Sequence, residues 1–260
     1  MIGKWWLGEQ SWVPNTPWGP FTALLALIPI VFVSLLVGVV FFVILTGIFH
    51  PNALLSERSV SELLEWDRTF IGVLSAFATQ LATVPLVLWI AGLRGGRRKD
   101  VLSLKPFRGG ILTRFLVMIA FLGPALFISF SVYALFPFDI REFIPEIINV
   151  VQSQLAGYLL IFLIHVVGAP LSEEFVIRGF LFPAFAKSRI GTGGAAIVTS
   201  GLWTVLHLGH PLQSLLVVFI LGVLLSVVLW RTGNLWMCVA CHSAYNLVAF
   251  CFLPMPDFAG

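Results

Sequence analysis

Six polar side chains that could do chemistry lie within strongly apolar stretches of the sequence. They are Glu173, Glu174, Arg178, His207, His242 and Asn246. Placing an ionisable group inside a membrane-spanning helix costs about 2.5–3.5 kcal/mol on insertion scales, so such groups are rare there and usually serve a function. Together the six side chains predict a reactive site within a membrane.

The types and the spacing of these side chains suit hydrolysis. Glu174 and Arg178 are four residues apart, so they share a helix face and can form an ion pair, whereas Glu173 points to another side of the helix and is left free. His242 and Asn246 are also four residues apart and share a face. A buried carboxylate can act as a general base on water, and His and Asn side chains can donate to a developing oxyanion.

The same groups also suit a metal site. Histidine nitrogens with one carboxylate and an open position for water are typical of catalytic zinc. Such a site would use Glu173, His207 and His242. The residues alone leave both alternatives open, namely bound zinc and a glutamate-activated water with no cofactor.

The composition indicates a polytopic membrane protein. The chain has 260 residues, of which 59% are hydrophobic and 10% charged, whereas a soluble domain carries about 25% charged residues. Its apolar runs predict an all-α bundle of about seven transmembrane helices, because only helices can span a bilayer as separate segments of this length. A split of the long fourth helix at Pro170 would give an eighth span.

The predicted spans follow the apolar runs, with His207 deep in the fifth span. They cover 21–49, 69–92, 115–136, 154–187, two helices within 190–230 that break at 208–214, and 235–253. Lys and Arg favour the cytoplasmic side, so the basic loop 94–110 and the N-terminus are expected inside, and the C-terminus outside. This topology accounts for the net charge of +3, and no nucleic-acid partner is predicted.

The predicted organisation has three parts. Residues 1–20 form an interfacial or disordered segment rich in Trp, 21–140 form the N-terminal spans, and 141–256 form the core that holds the polar residues. The expected location is the inner membrane of a bacterium, with membrane lipids as partners. The basic loop would attract anionic headgroups. The oligomeric state is not readable from the sequence.

Three motifs, EEFVIR, WTVLH and HSAYN, together resemble the CAAX prenyl protease and bacteriocin-processing family, also called the CPBP or Abi family. Its pattern is EExxxR, then FxxxH, then HxxxN or HxxxD, on three successive core helices. The first and third motifs match in full, and Trp203 stands where the family usually has Phe. The resemblance covers 171–253 and implies an intramembrane endopeptidase, dependent either on zinc or on a glutamate-activated water.

The resemblance also implies a role for each site residue. These are Glu173 as the base, His207 to bind and activate water, His242 and Asn246 to stabilise the oxyanion, and Glu174 with Arg178 to orient the site. It implies substrates such as prenylated C-terminal peptides or other processed peptides, without selecting between them.

Rival functions come from other classes of protein. Intramembrane charges also mark the ion pathways of transporters, but the sequence shows no inverted repeat and no paired broken helices. A non-catalytic immunity protein or scaffold would have no use for the full polar set. The segment CVACH, from Cys238 to His242, fits the pattern for c-type haem attachment, but it lies inside an apolar helix and is interpreted as packing. His165 is interpreted as a helix contact, and His210 as facing the outer surface.

Overall fold

The computed structural model describes residues 12–51, 65–107, 109–137 and 155–252. In this part of the chain the secondary structure is helical, with no β-strand, which confirms the all-α prediction. The helices are α1 (Pro20–Phe49), α2 (Glu65–Ala91), the short α3 (Arg98–Val101), α4 (Ile111–Leu135), α5 (Leu155–Ala186), α6 (Gly191–Val205), α7 (Leu212–Thr232) and α8 (Leu235–Phe250).

Five helices in the described ranges are long and apolar enough to cross a membrane, namely α1, α2 from Thr69, α4, α5 and α7. Helices α6 and α8 have 15 and 16 residues. At 1.5 Å per residue they measure about 22 to 24 Å, which is less than the roughly 30 Å of a hydrocarbon core. The chain is thus an integral membrane protein by its helices, while the count of seven spans stays a prediction.

Helix α5 passes through Pro170 without a break, at the position where the alternative eighth span would begin. Two π-helical turns, Leu163–Gly168 and Phe175–Leu181, flank the α-helical segment Ala169–Glu174. Proline has no N–H to donate to the preceding turn, and the widened π turn before it accommodates the missing bond. Such π turns are frequent at functional sites.

Helix α5 forms the centre of the bundle. Its second half is almost fully buried, with Phe175, Phe180 and Phe182 each exposing 2% or less of their surface. It packs against α2, α6 and α8. By contrast α1 packs mainly on α2 and leaves many large apolar side chains exposed, as expected for a helix that faces lipid. The buried half of α5 is therefore where the fold can hold charged groups away from lipid.

The segment 12–19 packs against one end of α5. The Trp12 ring stacks on Phe182 at a centroid distance of 5.3 Å, and its Nε1 donates to Ser103 Oγ at 2.8 Å. Lys187 Nζ donates to the backbone carbonyl of Thr16 at 2.8 Å. Residues 1–11 and the boundary proposed at 140–141 lie outside the described residues, so the predicted division into three parts stays a prediction.

Candidate active site

A buried ionic network lies at the base of the site, where α5 meets α8. Glu174 Oε1 accepts a hydrogen bond from Arg178 Nη1 at 2.9 Å and a second one from His242 Nδ1 at 2.9 Å. Glu174 and Arg178 are fully buried and His242 is 4% exposed. The four-residue spacing brings Glu174 and Arg178 together, and the fold adds His242, to which the resemblance assigns an oxyanion role.

Glu173 lies on the half-buried side of the same helical turn. Its Oε2 accepts a hydrogen bond from the indole Nε1 of Trp203 at 2.8 Å. Its Oε1 has no hydrogen-bond partner among the described residues, and it is not one of the fully buried unpaired atoms. One oxygen of this carboxylate is therefore held in place, and the other is free to take a proton.

His207 lies two residues beyond the end of α6, so the prediction that it sits deep within a helix is wrong. The helix ends at Val205 because Gly209 adopts a φ of +113° and Pro211 follows, and neither residue continues a helix. His207 Nδ1 bonds the backbone carbonyl of Trp203 at 2.9 Å. The turn after α6 thus returns the imidazole toward Trp203 and the acid.

The hydrogen bonds fix which nitrogen of each imidazole is protonated. A carbonyl or carboxylate oxygen only accepts, so Nδ1 of His207 and Nδ1 of His242 must both carry hydrogen. In the neutral form each ring then presents a lone pair at Nε2. Neither Nε2 atom has a hydrogen-bond partner among the described residues, and neither is fully buried. Each can accept a hydrogen bond from water.

Trp203 connects the acid to the basic groups. The Cζ of Arg178 lies 4.4 Å from the centre of its ring, within the range of a cation–π contact. The rings of His207 and His242 stand edge-on to it, with centroids 5.3 and 5.4 Å away. Sequence reasoning treated Trp203 as a packing substitute for Phe. An indole N–H can donate a hydrogen bond, which a phenyl ring cannot. The presence of Trp in place of Phe in this motif is therefore the signal that could have predicted the bond to Glu173.

Asn246 is buried, and its Nδ2 donates to the backbone carbonyl of His165 at 2.8 Å. His165 lies in the first π turn of α5, where widening of the helix changes the usual backbone pairing. One N–H of the Asn246 amide is thus used to tie α8 to α5. The other N–H is the one that could serve an oxyanion.

The remaining sequence candidates fall in different places. The rings of His210 and His207 are 5.5 Å apart, and desolvation together with nearby His207 lowers the pKa of His210. Cys238 and Cys241 are buried, so their thiols are enclosed as small apolar side chains.

The described residues contain no group of three or more His, Cys, Asp and Glu side chains arranged to hold a metal ion. Glu173, His207 and His242 therefore do not form a ready three-ligand site in this conformation. The bond from His242 to a carboxylate resembles the support that zinc-bound histidines receive, but it serves proton transfer equally well. Zinc dependence stays a prediction, and no chemical step is derived through a metal.

The comparison with protein families bears on the helices that build this site. Residues 153–248 match the family model described as Type II CAAX prenyl endopeptidase Rce1-like. No curated protein and no solved structure matches the chain. The matched segment contains all three motifs and covers α5 to α7 and α8 up to Val248. At the level of the family it supports a CAAX-type intramembrane protease. The resemblance drawn from the motifs is therefore confirmed over residues 153–248, which are similar to the Rce1-like model of the CPBP family.

Proposed function

We propose that this protein is an intramembrane endopeptidase that hydrolyses peptide bonds in membrane-associated or lipid-anchored peptides, including prenylated C-terminal ones. The observation that carries the proposal is the state of Glu173, whose Oε2 is held by Trp203 while Oε1 stays free and accessible. The proposed location is a bacterial inner membrane with the N-terminus in the cytoplasm, which the basic loop beside α3 supports.

In the proposed reaction Glu173 Oε1 takes one proton from a water molecule, while the other O–H of that water stays intact and donates a hydrogen bond to Nε2 of His207. The water oxygen bonds to the peptide carbonyl carbon, and the carbonyl oxygen becomes an oxyanion. The proton held by Glu173 then passes to the amide nitrogen as the C–N bond breaks. Each proton that leaves water thus returns to a product.

The oxyanion needs a donor, and the structure offers two. Asn246 has one N–H that is not used by the His165 carbonyl. His242 can donate from Nε2 only as the doubly protonated imidazolium, because its Nδ1 hydrogen is used by Glu174. Because water is largely excluded from such a site, either donor acts more strongly than it would in solution. Glu174 and Arg178 then act by holding His242 in place.

The proposal is tested with purified protein in lipid nanodiscs and an internally quenched, prenylated peptide. Glu173→Gln keeps the shape of the side chain but removes the base. His207→Ala removes the imidazole that accepts a hydrogen bond from the water. Each change is expected to lower kcat about 100-fold or more. Asp100→Asn is the matched control, since that acid pairs with Lys105 at the surface, away from the site, and it should keep full activity.

Two results would count against the proposal. A Glu173→Gln variant that cleaves at the rate of the unchanged protein would exclude this residue as the base. Absence of cleavage by the unchanged protein, across prenylated and unprenylated peptides, would favour a non-catalytic immunity protein or scaffold. In cells, Glu173→Ala should leave uncut precursors in the membrane proteome if the chain is a protease.

A further inference from the structure

We propose that Trp203 is a positioning residue whose indole N–H holds Glu173 so that Oε1 faces the accessible side of the site. The inference rests on the proposed function. The bond joins α6 to α5 over a distance of 2.8 Å between Nε1 and Oε2. It is the only hydrogen bond that Glu173 makes among the described residues through its side chain.

The other contacts of Trp203 do not require an indole. Its backbone carbonyl, not its side chain, bonds His207, and this contact would survive a change of side chain. A phenyl ring could also stand beside Arg178 and His242, where Trp203 now makes a cation–π and an edge-on contact. Phenylalanine has no N–H to donate. A Trp-to-Phe change therefore removes the bond to Glu173 and largely spares the rest.

The expected effect is on the chemical step. The indole N–H bonds the acid, so its loss should let Glu173 sample unproductive orientations while substrate binding stays unchanged. An interaction with the reacting group alone lowers kcat and leaves KM unchanged. A purely structural role for Trp203 would instead lower the unfolding temperature or the fraction of folded protein. Because a smaller folded fraction also lowers the apparent kcat at constant KM, kcat is calculated per folded molecule.

The experiment compares the unchanged protein with Trp203→Phe in nanodiscs, with kcat and KM measured on the quenched prenylated peptide. We expect kcat to fall about tenfold, KM to stay within about twofold, and the unfolding midpoint to stay close to that of the unchanged protein. Trp236→Phe is the matched control. It also removes an indole N–H, but from a half-exposed ring that packs edge-on against Phe175 outside the site, and its kcat should not change.

A second variant covers the possibility that Trp203→Phe disturbs folding. Replacement of Trp203 by its benzothiophene analogue keeps the two fused rings and has no N–H. The same loss of kcat in this variant supports the inference, and a kcat equal to that of the unchanged protein overturns it. If the unchanged protein itself cleaves no peptide, the proposed function fails as a whole. If the unchanged protein is active and the Trp203 variants have the same kcat, only the present inference fails.

Discussion

His242 Nδ1 lies 2.9 Å from Oε1 of Glu174 and links α8 to α5 in the buried half of the site. The same oxygen accepts a hydrogen bond from Arg178. The other oxygen of Glu174 and two nitrogens of Arg178 have no hydrogen-bond partner among the described residues. One carboxylate oxygen of Glu174 therefore pairs with a buried guanidinium and orients an imidazole. Its neighbour Glu173 differs, because one of its two oxygens has no hydrogen-bond partner among the described residues.

Neutralising Glu174 should destabilise the fold. Glu174→Gln leaves the guanidinium of Arg178 buried without a counter-charge, and loss of one partner of a buried pair costs about 3–5 kcal/mol. We expect a clearly lower unfolding midpoint in detergent. Glu173→Gln is the internal comparison. It keeps a hydrogen-bond acceptor for Trp203 and has no cation partner to strand, so it should cost about 1 kcal/mol or less. Equal midpoints for the two variants would contradict the distinction between the adjacent acids.

Removing the Asn246 amide should loosen the first π turn of α5. Asn246→Ala leaves the His165 carbonyl without its donor, and an unpaired buried acceptor costs about 1–3 kcal/mol. We expect faster amide hydrogen exchange across Leu163–Gly168 and a lower kcat. Ser129→Ala is a suitable control. It also removes a hydrogen bond made by α8, the one between Ser129 and Tyr245, but this bond lies away from the π turn. Unchanged exchange in Asn246→Ala would show that the contact does not support this turn.

The polar site was largely predictable because its signal is local. Charged and histidine side chains in apolar runs, repeated at four-residue spacing, indicate which faces meet. The partners of each group were not predictable in this way. His242 pairs with Glu174, and Asn246 bonds the His165 backbone. His165 lies in one of the two π turns of α5, and hydrophobic periodicity carries no signal for a π turn. The end of α6 was predicted too late in the sequence. The run without charges continues past Val205, and it gave no signal for the turn that Gly209 forms with its positive φ.

The segment before α1 should contribute to stability through Trp12. This side chain stacks on Phe182 and donates to Ser103, so it connects the loop after α3 to the centre of the bundle. Trp12→Ala should reduce the free energy of unfolding by about 2 kcal/mol, given its partial burial and the loss of an aromatic pair. The unfolding midpoint provides the measurement. Val13→Ala, at a position 73% exposed, should leave the midpoint unchanged, and an equal shift in both variants would argue against a specific contact.

Thiol labelling on both sides of α6 tests whether this helix crosses the membrane. This helix is shorter than a full span, yet the charge distribution predicts that it crosses the membrane. Single cysteines are introduced at Lys99, Ile190 and Leu212, all of them exposed, with exposed Cys251 changed to Ser and the buried Cys238 and Cys241 retained.

A membrane-impermeant maleimide applied to intact cells should then label only Leu212→Cys, while all three variants become labelled after lysis. In the seven-span topology α6 separates position 190 from position 212, because Lys and Arg retain the loops 94–110 and 187–189 in the cytoplasm. Protection of all three positions in intact cells would mean that α6 enters the bundle and returns on the same side. His207 would then approach Glu173 from the cytoplasmic face, and the substrate would enter from that face as well.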